Sequence, residues 1–133
     1  GQIGTPGWTA PEVFKHGAYD QKVDVYSFAV VLAECLSSTK PYVGMDAMQI
    51  AFATVYRNKR PTLPSGTPPA LEKLTKSCWD AEPKKRPVFT KVIDALKAIE
   101  RSRDTGGTRI VNSADGVRSA APVITAAPRL PVF

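Results

Sequence analysis

The chain has 133 residues, 43% apolar and 23% charged, the balance of a soluble globular protein with room for one domain and a tail. Its longest uninterrupted apolar run, Phe28 to Ala33, is far short of the roughly 20 residues needed to span a membrane. The net charge of +6 does not make a nucleic-acid surface, because Arg57, Lys59 and Arg60 stand apart from Lys84, Lys85 and Arg86 and no aromatic residues are interleaved for base stacking.

Two regimes divide the chain. Residues 1–101 alternate periodic apolar segments with loops marked by Pro and Gly, whereas residues 102–133 turn to Gly, Ala, Pro, Ser, Thr and Arg with little periodicity. The first segment is predicted to be a domain and the second a disordered tail, in which Pro128-Arg129-Leu130-Pro131 fits a P-x-x-P pattern too short to mean much. The chain opens on Gly1 rather than Met, which reads as a fragment or a processed chain, and no secretory leader is visible.

Four longer helices are predicted. Asp20 is placed to cap the first, which runs to about Leu36. Between Val23 and Leu36 only Asp24, Ser27 and Glu34 are polar, so this helix is expected to be the buried centre of the domain. A second helix spans Asp46 to about Tyr56, and Pro61, Pro64, Gly66, Pro68 and Pro69 then mark an extended loop. The third, from about Ala70 to Trp79, carries Leu71, Leu74 and Cys78 at helical spacing. The fourth, from about Phe89 to Glu100, carries Phe89, Val92, Leu96 and Ile99 on one face. No alternation of period two is present, so the fold class is all-α. Cys35 and Cys78 fall inside helices and are expected to be buried thiols of an intracellular protein rather than a disulfide. His16, the sole histidine, has no acidic or Cys cluster around it, so no metal site is expected and it reads as a loop residue.

Three separated motifs carry a resemblance. Gly4-Thr5-Pro6-Gly7-Trp8-Thr9-Ala10-Pro11-Glu12 resembles the stretch that ends the activation segment of a eukaryotic protein kinase in A-P-E. Asp24-Val25-Tyr26-Ser27-Phe28-Ala29 is similar to the D-V-W-S-F-G of that family's central helix. Cys78-Trp79, Pro83 and Arg86-Pro87 are similar to its C-W-x-x-x-P-x-x-R-P run. The order and spacing suit the helical subdomain of the C-terminal lobe over residues 1–101, from the end of the activation segment onward. Gly4-Thr5 favours serine/threonine specificity, and Tyr26 with Cys78-Trp79 looks like the tyrosine-kinase-like group.

The resemblance implies a role for each matched residue. Glu12 and Arg86 would form the family's buried ion pair, and Asp24 would accept hydrogen bonds from backbone amides of the catalytic loop, all three being structural. Thr5, Gly7 and Trp8 would bind substrate, Thr5 by shaping the pocket for its hydroxyl and the other two by forming the surface for the residue that follows it. Trp8 serves equally well as a core aromatic, and Trp79 is expected to be one.

No Gly-rich loop, V-A-I-K lysine, H-R-D loop or D-F-G triplet is present. The chain is therefore expected to hold no catalytic, cofactor-binding or metal-binding residue, to be inactive alone, and to need the upstream part of the domain. ATP and magnesium belong to the intact kinase. The expected function is a share in ATP-dependent phosphoryl transfer to protein Ser/Thr hydroxyls in the cytoplasm. The alternative is a non-catalytic docking module or pseudokinase remnant, in which the helix near Asp46–Tyr56 binds partners. Protein substrates or docking partners are implied, and nucleic acid is not. By itself the chain is expected to be poorly stable, since the central helix would lose the cover that the catalytic loop provides.

Overall fold

The computed structural model describes residues 5–106, and they are helical with no strand among them. A 3-10 turn at Pro6–Trp8 leads into α1 (Pro11–Phe14), followed by α2 (Lys22–Ser37), α3 (Ala47–Tyr56) and α4 (Pro69–Cys78). A second 3-10 turn at Pro83–Lys85 precedes α5 (Phe89–Gly106). Both 3-10 turns and α1 are three or four residues long, too short to register as a hydrophobic period.

Local chemistry accounts for the ends of the helices. Asp20 accepts a bond from the Lys22 amide at 2.9 Å ahead of α2, and Ser38 stops that helix in the left-handed conformation at φ 55°. Asp46 makes a full capping box on α3: its carboxylate accepts the Gln49 amide, and the Gln49 side chain accepts the Asp46 amide. Pro69 takes the first position of α4, where its missing N–H is no loss. The last helix was predicted to end near Glu100 but continues through Gly106, past the composition change at Ser102. Side-chain bonds back onto the helix, Ser102 Oγ to the Ile99 carbonyl and Thr105 Oγ1 to the Arg101 carbonyl, accompany that extension. The remainder of the predicted tail lies outside the described residues.

α2 is the centre of the packing, with α4 against it and α5 against α4. Val25, Tyr26, Ala29, Val30 and Ala33 of α2 join Leu74, Cys78, Trp79 and Val92 in one core cluster. Trp79 is thus the core aromatic it was expected to be. The expectation that α2 is buried nearly all round needs correcting. Asp24, Val31 and Cys35 recur on one stripe of the helix and are exposed, with Phe28 half-buried between them. Cys35 is therefore not the buried thiol foreseen, because its position shares the open side with Asp24. No helix among the described residues is long and apolar enough to cross a membrane.

The two thiols should react very differently. Cys78 is 1% exposed and burial pushes its thiol above the ordinary cysteine range, while Cys35 stands on the surface. Brief alkylation of the native chain at pH 8 is expected to modify Cys35 and spare Cys78, both reacting once denaturant is added. Intact-mass and peptide mass spectrometry check this, and equal labelling of both in the native chain would contradict the packing described.

Candidate functional site

The Pro6–Trp8 turn is held against α2 at two points. The Ser27 hydroxyl donates to the Trp8 carbonyl at 2.6 Å, and the Trp8 indole Nε1 donates to Glu34 Oε2 at 3.0 Å. Ser27 and Glu34 lie seven positions apart, two turns along the helix, so both face the same way. Trp8 is half-buried and packs on the core, and its polar edge is engaged as well. The two readings of Trp8 are compatible in this geometry.

Thr5 is exposed at the start of the turn, and its carbonyl accepts from the Trp8 amide at 3.1 Å and the Thr9 hydroxyl at 2.9 Å. Thr5, Trp8, Thr9 and Ser27 line one open hollow. Gly7 does not line it: it is buried, and a Cβ there would lie 3.2 Å from Pro41 Cγ. Gly7 is small because the loop after α2 passes close to it. Of the three residues assigned to substrate, the structure brings Thr5 and Trp8 together at a surface and sets Gly7 beneath them.

Glu12 and Arg86, 74 residues apart, meet side by side. Arg86 Nη1 lies 2.6 Å from Glu12 Oε1 and Nη2 lies 2.9 Å from Oε2, a two-pronged contact that a planar guanidinium is shaped to make. Arg86 also donates from Nε to the Asp80 carbonyl at 2.9 Å and from Nη1 to the Lys22 carbonyl at 3.0 Å. Its own carbonyl accepts from Lys22 Nζ. The Arg86 side chain is 0% exposed and that of Glu12 is 15% exposed.

Beneath this pair lies Tyr26, with Arg86 on its ring at 5.1 Å and Arg60 at 5.0 Å. Arg60 in turn donates to the Trp79 and Thr54 carbonyls, which ties the loop after α3 to the core.

Asp24 sits in the first turn of α2, where the helix dipole favours an acid, exposed, and its carboxylate accepts no hydrogen bond among the described residues. His16 is an exposed loop residue with φ 53°. Ser27 and Glu34, which hold the turn, were not singled out in the sequence. The available signal was that they are two of the three polar residues in an otherwise apolar helix.

No three His, Cys, Asp or Glu side chains among the described residues converge as a metal site would require. Asp24 stands alone, and no glycine-rich phosphate cradle accompanies it. The described residues do not fit ATP or its magnesium. What the site can do is present a clamped surface turn to another chain.

The family described as protein tyrosine and serine/threonine kinase matches residues 2–96. The serine/threonine/tyrosine-protein kinase HT1 of Arabidopsis thaliana is 45% identical over 97 residues, which is 73% of this chain and 25% of that protein. The serine/threonine-protein kinases STY46 and STY17, also of Arabidopsis thaliana, are 36% identical over 116 residues and 39% identical over 100. Those stretches cover 87% and 75% of this chain, and 20% and 18% of the relatives. The chain thus spans a quarter or less of the length of these relatives. With the A-P-E end, the Glu12–Arg86 contact and an all-helical core, the chain belongs to the protein tyrosine and serine/threonine kinase family, as part of a kinase domain.

Proposed function

We propose that this chain supplies the substrate-facing turn and the helical platform of a cytoplasmic kinase that transfers the γ-phosphoryl of ATP to serine or threonine hydroxyls of proteins. Thr5 and Trp8 form the surface that receives the acceptor segment, and Gly7 lets the turn sit close to Pro41. ATP and magnesium are held by residues outside this chain. The observation that carries the reading is the double clamp of the Pro6–Trp8 turn on α2, which leaves Thr5 on an open hollow. A turn fixed in this way keeps a bound hydroxyl in register, and loss of such positioning costs about 100-fold in rate.

The test uses the longest protein in which this chain occurs, with radiolabelled ATP, magnesium and serine, threonine and tyrosine peptides. Transfer to serine and threonine is expected, with Thr5→Ala lowering kcat/KM about 100-fold at unchanged thermal stability. Absence of transfer by the unsubstituted protein, or an unchanged kcat/KM for Thr5→Ala, would refute the reading.

A further inference from the structure

Two loops meet beside the clamped turn and enclose a hollow of about 230 Å³. One follows α2 and the other follows α3, and they are tied together where the Tyr42 hydroxyl donates to the Lys59 carbonyl at 3.3 Å. Pro41, which lines the hollow, is also the residue against which Gly7 sits. Glu34 lines it too, and accepts from the Trp8 indole. The hollow and the turn therefore share a wall.

Charge indicates the chemistry of the occupant. Lys40, Lys59 and Arg60 border the hollow, against the single carboxylate of Glu34. The carboxyl ends of α2 and α3 lie close by and add roughly half a negative charge each, which leaves the surroundings about one charge positive. Arg60 is the cation that answers those ends. Its Nε donates to the Trp79 carbonyl and its Nη1 to those of Thr54 and Lys59, while Nη2 is buried with no partner among the described residues. Lys40 and Lys59 are exposed and take no part in the ion pairs among the described residues. Thr39 and Thr62 add hydroxyls to the same lining. Two compact ammonium groups beside hydroxyl donors suit a dianion with three acceptor oxygens better than a singly charged carboxylate.

We infer that this hollow receives the phosphoryl group of a phosphoserine or phosphothreonine that flanks the acceptor hydroxyl in the substrate protein, with Lys40 and Lys59 as its cationic contacts. The inference rests on the function proposed above, in which Thr5 and Trp8 face the acceptor segment. A residue a few positions along that segment passes the wall of Pro41 and Glu34 and reaches the two lysines. A protein already phosphorylated near the acceptor is then the preferred substrate.

The probe is a fluorescein-labelled 13-residue peptide with a central serine and a phosphoserine four residues to either side, titrated with the full chain by anisotropy beside its unphosphorylated twin. The phosphopeptide is expected to bind about tenfold tighter, and Lys40→Glu with Lys59→Glu to abolish that preference. Lys59→Glu alone should reduce it to about threefold. Lys91→Glu with Lys97→Glu, the same change of charge at exposed positions of α5, should leave it intact. Circular dichroism checks the fold of each variant, and Lys59→Glu decides the matter if the double variant fails to fold. Equal binding of the two peptides, or a loss just as large for the α5 pair, would overturn the proposal. So would displacement by inorganic phosphate at the phosphopeptide's own dissociation constant, which would make the hollow a site for the free anion. Because binding is read without transfer, these results bear on the hollow alone, whereas absence of transfer by the longer protein bears on the turn.

Discussion

Replacing either Glu12 or Arg86 by alanine is expected to cost about 3–5 kcal/mol, because each leaves a largely buried charge with its partner gone. That is a large share of the roughly 5–15 kcal/mol that holds a domain together. The two losses should differ. Glu12→Ala strands a guanidinium whose side chain is 0% exposed, although the Asp80 and Lys22 carbonyls still accept from it. Arg86→Ala strands a carboxylate that reaches some solvent, but it also empties a fully buried volume, releases both carbonyls and removes one cation from the Tyr26 ring. The larger loss is therefore expected for Arg86→Ala. Arg86→Lys should not restore it, since a single ammonium cannot match both carboxylate oxygens. The double variant should lose clearly less than the sum of the two, because neither charge is then left alone. Urea unfolding of the four proteins checks this cycle, and fully additive losses would mean that the two side chains do not act as a unit.

The residues that made the pair readable were those with fixed chemistry at fixed separations. A-P-E at one end and R-P at the other announced Glu12 and Arg86 before any coordinate. The second helix was placed from Asp46, which caps α3, and the leucines of α4 marked its buried side. Composition spoke less clearly of α2. Its apolar residues point in all directions, so the stripe of Asp24, Val31 and Cys35 that stays exposed could not be told from the buried one by periodicity. The clamp on the Pro6–Trp8 turn was hidden for a different reason. Ser27 and Glu34 act on Trp8 across 19 and 26 residues, and nothing local to any of the three advertises the contact. Which side of α3 stays open was equally hidden, since its apolar residues lie on more than one side and only the packing shows that Met48, Phe52 and Tyr56 are uncovered.

Tyr26 should separate two kinds of contribution when it is changed in two ways. The side chain is 0% exposed and lies between Arg60 and Arg86, so Tyr26→Ala removes a full ring of packing and both cation contacts. A loss of about 3–5 kcal/mol is expected, as for other buried aromatics cut back to alanine. Tyr26→Phe should stay within about 1 kcal/mol of the parent, because the buried hydroxyl it removes makes no well-formed hydrogen bond among the described residues and has only an electrostatic contact with the Tyr42 phenol. The phenol also sets an alkaline limit. Burial pushes the Tyr26 ionisation above its ordinary value, and the pull of Arg60, the contact with the Tyr42 phenol and the pull of Arg86 only partly offset this. Tyr42 is pushed up as well, again chiefly by burial. A phenol raised in the fold keeps its proton there while the unfolded chain releases its own. Stability from this source is therefore complete below a pH of about 10 and falls as the pH rises beyond it. Tyr26→Phe should make that decline shallower without abolishing it, since Tyr42 still titrates. Urea midpoints of the parent and the Phe variant between pH 8 and pH 11 test both statements. A Phe variant as damaged as the Ala variant would show that the hydroxyl, not the ring between two guanidiniums, is what Tyr26 contributes.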